Sequence, residues 1–199
     1  MNDIDERLKD ISEIRSLMEQ SSKFLSLSGL SGVSAGIVGT AAAAVAEWRL
    51  NTATVPERGD ATSFFFVGSI VTLVLALGLA ALFSVRMTKK KGLPVWTTAT
   101  KSLLVNLFTP LAAGGTYCII LMVQGLLHLI APAMLIFYGL ALLNTSKYTL
   151  PEIRYLGLCE LCLGLVGSWL FQYGVILWGI GFGMLHIIYG IIMYVKYEK

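Results

Sequence analysis

Two ionisable residues interrupt apolar runs of this chain: Glu160 in residues 151–170 and His186 in residues 175–195. A turn at Phe171-Gln172-Tyr173-Gly174 separates the runs, and each residue lies thirteen positions from Tyr173. In an antiparallel hairpin that symmetry places both at one depth. An ionisable side chain in the middle of a bilayer costs about 2.5–3.5 kcal/mol on insertion scales, so each should face the bundle interior with a partner. Where two such groups meet, they share a proton, either as carboxylate with imidazolium or as neutral acid with imidazole. A pair of this kind can lock two helices, bind a cationic ligand or ion, or relay protons. The spacing leaves all three readings open.

Asn106 is the third candidate for a ligand- or ion-binding residue. It falls near mid-depth of residues 95–122, where an amide serves either as glue between helices or as a ligand contact. Cys159-Glu-Leu-Cys162 is a C-x-x-C string, and its thiols could join Glu160 and His186 around a metal. The chain has no second C-x-x-C, and cysteine is a common small apolar core residue, so no metal is assigned. His128 lies near the mouth of its run and His186 near the middle of another, which argues against a haem held by two histidines. Nucleophile motifs, phosphate-binding glycine loops and zinc-protease helices are all missing. No catalytic residue and no cofactor is expected, and an enzyme ranks behind the other readings.

These residues need elements to hold them, and composition says which. Of 199 residues, 56% are hydrophobic and 14% charged, against about 25% charged in an ordinary soluble domain. The charges are also segregated, which marks an all-α, polytopic helical membrane protein. Six spans are expected at about 25–48, 63–85, 95–122, 126–143, 151–170 and 175–195. About 20 residues at roughly 1.5 Å rise cover a hydrocarbon core of about 30 Å. Pro94 suits the first turn of the third span. Pro110 should kink that span and free a carbonyl inside it. Thr149-Leu-Pro151-Glu152 reads as a capping box opening the fifth. Trp169, Tyr173, Trp178, Tyr194 and Tyr197 read as interfacial belts. Arg86, Lys89, Lys90 and Lys91 share one side with Lys147, Arg154, Lys196 and Lys199. The positive-inside rule then puts both termini in the cytoplasm of a plasma (bacterial inner) membrane protein.

Residues 1–24 form a separate unit, an amphipathic helix with Ile4, Leu8, Ile11, Ile14, Leu17 and Met18 on one stripe. Its polar face holds six acids against four bases, whereas a membrane-surface helix is normally basic. Docking on protein is therefore favoured over lying in the interface. In the first span, Gly32 and Gly36 make a G-x-x-x-G that lets helix backbones approach closely, either within the bundle or between copies. Glycines 179, 181, 183 and 190 give the sixth span a similar packing face. The expected partners are the lipid bilayer, a second copy of the chain and a cytoplasmic protein, with no role for nucleic acid. Leu8, Ile11, Gly32 and Gly36 are the expected association residues.

Three stretches carry a resemblance: residues 18–32 (MEQSSKFLSLSGLSG), 138–148 (YGLALLNTSKY) and 183–190 (GMLHIIYG). In these the chain resembles small bacterial six-span integral membrane proteins with no known activity. The resemblance implies the class and transfers no functional residue. The expected function is non-enzymatic: association with itself or a cytoplasmic partner, with a small or lipidic ligand bound or sensed in the bundle. The alternative is a small-solute or proton-coupled transporter or channel built on the Glu160–His186 pair, which requires a wettable path between helices.

Overall fold

A computed structural model describes residues 28–52 and 58–199, and among these every regular element is a helix. The expected N-terminal amphipathic helix, with Leu8 and Ile11, lies outside the described residues. The helices are α1 (Gly29–Thr52), α2 (Arg58–Lys90), α3 (Thr98–Val123), α4 (Ile130–Thr145) and α5 (Glu152–Trp169). A last helical run begins as α6 (Gly174–Gly179), passes through a π-helical turn at Ile180–Leu185 and continues as α7 (His186–Tyr197). Five stretches are long and apolar enough to cross a membrane: Gly29–Thr52, Ser63–Lys90, Thr98–Val123, Leu127–Tyr148 and Phe171–Tyr197. The sixth candidate, α5, has 18 residues and carries Glu152, Arg154 and Glu160. These helices are consistent with a membrane protein.

The α6–α7 run is the seam of the bundle. It packs on α1 along one side and on α4 and α5 along the other, with α2 beyond α1 and α3 beyond α4. Glycines make the α1 side possible. A Cβ on Gly36 would stand 2.7 Å from the Gly183 carbonyl oxygen, and one on Gly190 would stand 2.6 Å from that of Gly29. A Cβ on Gly32 would reach Gly190 Cα at 3.0 Å. The Gly32–Gly36 face is therefore occupied inside the chain, so it is not a free seam for a second copy. Across the bundle, Gly139 and Gly157 bring α4 and α5 equally close, each lying where a side chain would strike the other's carbonyl at 2.7 and 2.9 Å. Close backbone approach of this kind is how helices associate where burial from water gives no driving force.

Hydroxyls along the apolar helices are satisfied locally. Ser34, Thr40, Thr72, Thr109, Thr116 and Ser168 each donate to a carbonyl three or four residues earlier, at 2.8–3.1 Å. Pro110 leaves a larger gap, because it lacks the N–H that the Asn106 carbonyl would otherwise accept. Asn144 of α4 fills it, its Nδ2 donating to that carbonyl at 3.1 Å. Asn144→Leu is expected to destabilise the bundle by about 1–2 kcal/mol. Pro110→Ala restores the missing donor and should remove most of that cost. A double-mutant cycle by denaturant titration checks this, and an unchanged Asn144→Leu cost in the Pro110→Ala background refutes it.

Several end signals turn out differently from the sequence reading. Pro94 lies ahead of α3, which starts at Thr98 and is capped by Thr97, whose hydroxyl accepts from Thr100 N at 3.1 Å. Glu152 directs its carboxylate at the end of α7. Its Oε1 accepts from Lys196 Nζ at 2.5 Å and from the Tyr197 hydroxyl at 2.9 Å, which ties the start of α5 to the end of α7. Tyr197 is thus a clamp between these two helices. Glu198 performs a cap of longer range, accepting from Gly29 N–H at the first turn of α1. A carboxylate there satisfies an orphan donor and faces the positive end of the helix dipole. Glu198→Ala is expected to cost about 1 kcal/mol and to speed amide exchange at Gly29. Unchanged exchange at that amide would count against the cap.

Candidate functional site

Glu160 and His186 meet. Glu160 sits on the buried face of α5 with Ile153, Leu156, Gly157 and Gly164, and its side chain has no exposed surface. His186 opens α7 directly after the π turn and is 6% exposed. Its Nδ1 lies 3.4 Å from Glu160 Oε1. The same nitrogen is 2.9 Å from the Gly181 carbonyl oxygen, and Nε2 is 2.8 Å from the Tyr138 hydroxyl. A carbonyl can only accept, so Nδ1 carries a proton. In the neutral ring Nε2 then accepts from Tyr138, and in the imidazolium the Tyr138 hydroxyl accepts instead.

The π turn is what makes this arrangement possible. It takes the backbone out of the regular i→i+4 ladder, and the His186 ring reaches back five residues to Gly181. Gly181 also admits the carboxyl group, since a Cβ on it would collide with Glu160 Oε2 and stand 2.6 Å from Leu135 Cδ2. The rest of the wall is aromatic. Phe182 and His186 stack with centroids 5.8 Å apart, and Tyr138 lies 4.8 Å from Phe182. Trp178 packs on Phe182 at 5.0 Å, so this indole turns inward rather than joining an interfacial belt. Both Glu160 oxygens are buried and make no hydrogen bond with the described residues. His186 is fully engaged while the carboxyl beside it is not.

The other candidates lie elsewhere. Asn106 turns its amide onto its own helix, Nδ2 donating to the Ser102 carbonyl at 2.8 Å, and its contact with α4 runs through its backbone. His128 packs against Phe171, with tilted rings and centroids 5.0 Å apart, near the turn between α5 and α6. Cys159 and Cys162 are exposed, whereas Glu160 is buried. Among the described residues no three His, Cys, Asp or Glu side chains are grouped to hold a metal. Sequence reasoning missed Tyr138. The available signal was a phenol midway along an apolar run, where an interfacial belt does not account for it.

Among the described residues, the fold and the site together define an all-helical protein with a buried acid and imidazole and a half-buried phenol grouped between its helices. No protein-family model, curated protein or solved structure matches the chain.

Proposed function

We propose that the chain is a non-enzymatic, six-span integral membrane protein that senses a small ligand at the Glu160–His186 centre. Its place is the plasma membrane, with both termini cytoplasmic, and it works through a second copy or a cytoplasmic partner. The observation that carries the reading is a fully buried carboxyl group, 3.4 Å from an imidazole, with neither oxygen hydrogen-bonded among the described residues. Such a group is costly unless something binds to it. Location on the seam between the α1–α2 and α4–α5 sides lets the centre bias how the two halves pack. The bonds joining Gly29, Glu152, Lys196 and Glu198 gather the ends of α1, α5 and α7 on one side, in keeping with the charge pattern. Resemblance to small bacterial six-span proteins points to the same class. With Gly32 and Gly36 used inside the chain, association falls to the N-terminal segment with Leu8 and Ile11. Transport is the weaker reading, because the pair is enclosed rather than lining a wettable path.

The test is a distance measurement between spin labels at exposed positions Asn51 and Gln172 in a cysteine-free background, in native membrane vesicles. The wild-type distribution is expected to change when the vesicles are dialysed or their pH is altered. Glu160→Gln and His186→Ala should each give one distribution throughout. A wild-type distribution that is constant under all these conditions overturns the reading.

A further inference from the structure

We infer that the ligand of the Glu160–His186–Tyr138 centre is the proton itself, held on Glu160. The inference rests on the sensing reading above and names its ligand. The first argument is size. Glu160 has no exposed surface, and Leu135, Gly181 and His186 close around its carboxyl group. A calcium or magnesium ion collects six or more oxygen ligands. Here the described residues offer the two carboxylate oxygens and the Gly181 carbonyl, which His186 already occupies. An organic ligand has no room beside a glycine whose Cβ would already strike the carboxylate.

The second argument is the inventory of donors and acceptors. His186 Nδ1–H is donated to Gly181, and in the neutral ring Nε2 accepts from the Tyr138 hydroxyl, so both ring nitrogens already have a partner. Among the described residues, the two oxygens of Glu160 are the positions of this centre without a hydrogen-bond partner. One proton from solution converts that carboxylate to the neutral acid, and the net charge of the cluster changes from −1 to 0. No other atom is exchanged. The groups facing the centre are few. From α4 comes Tyr138, from α5 Glu160 alone, and from α7 Tyr189, which is buried a turn beyond His186. From α1 the contacts with Phe182, Gly183 and Ile187 come from Gly36, Gly39 and Thr40, none of which titrates, and Glu47 lies two turns further along. Gly181 bonds to His186 and touches Glu160, so the π turn is the first element to feel the carboxyl charge change.

The test is infrared difference spectroscopy between acid and alkaline buffer, on the full chain in phospholipid vesicles. A single buried carboxylic C=O band should appear on the acid side. It should be lost in Glu160→Gln and kept in Glu152→Gln and Glu198→Gln. Its midpoint should move by about one pH unit, a tenfold change in proton affinity, in Tyr138→Phe, which removes the hydrogen bond holding Nε2. A band that survives Glu160→Gln, or no band at any pH, overturns the inference. If the band is absent while the label distance still responds to dialysis, a diffusible ligand replaces the proton and the sensing reading stands. If neither responds, both fall.

Discussion

Replacing His186 by leucine is expected to destabilise the bundle by about 3 kcal/mol, while replacing Glu160 by methionine leaves it as stable as the natural chain or more so. The two residues are neighbours, yet their bonding is unequal. His186 satisfies the Gly181 carbonyl and the Tyr138 hydroxyl, and its loss strands both in an apolar wall. Each stranded group costs about 1–3 kcal/mol, toward the lower end where the unfolded chain in lipid also finds partners. Glu160 satisfies nothing: its oxygens make no hydrogen bond among the described residues, and His186 keeps both of its own without it. A buried carboxyl group that makes no hydrogen bond is costly to bury, and an apolar side chain of similar volume removes that cost without stranding a partner. Unfolding of both variants by detergent titration in mixed micelles decides the order. Equal costs would mean that Glu160 helps to hold the helices, and the pair would then be a lock. A carboxyl group whose removal stabilises the fold has a task other than holding it.

The second large effect concerns the α1–α7 crossing. Gly190→Ala is expected to cost about 2–3 kcal/mol, because the new Cβ meets Gly29 O at 2.6 Å and Val33 Cγ2 at 2.8 Å. Backbone atoms cannot rotate away, so the helices must separate. Gly115→Ala in α3 is the control, since nothing lies within 4 Å of its Cβ position. There the better helix propensity of alanine should leave stability unchanged or raise it by up to about 1 kcal/mol. The same titration measures both. A harmless Gly190→Ala would show that α1 and α7 are not held at this distance. Separation at Gly190 would also reach the centre, since His186 lies one turn away on the same helix.

Much of this architecture was legible because it depends on quantities local to the chain. The helical class followed from long uncharged apolar runs. The shared depth of Glu160 and His186 followed from equal spacing about a turn, because helix rise per residue is constant. The carbonyl freed by Pro110 is likewise a consequence of a single residue type. The glycine spacing in α1 announced close packing.

What sequence could not decide was direction and partnership. Glu152 was free to reach back to Thr149 or across to Lys196, and only the position of α7 made the cross-chain bond available. Trp178 suited an interface by type, but Phe182 and the turn of α6 bring it inward. Gly32 and Gly36 could have met another copy, yet Gly183, Ile187 and Gly190 fill that face. The π turn has no local signature here, and it sets where the His186 ring points. Residue types and spacing determined that an acid and an imidazole would share one level of a helical bundle. The tertiary structure decided that the imidazole is fully bonded, through Tyr138 and Gly181, and that the acid has no hydrogen bond among the described residues. Depth is a property of one helix, whereas the partner of a side chain depends on how neighbouring helices are rotated.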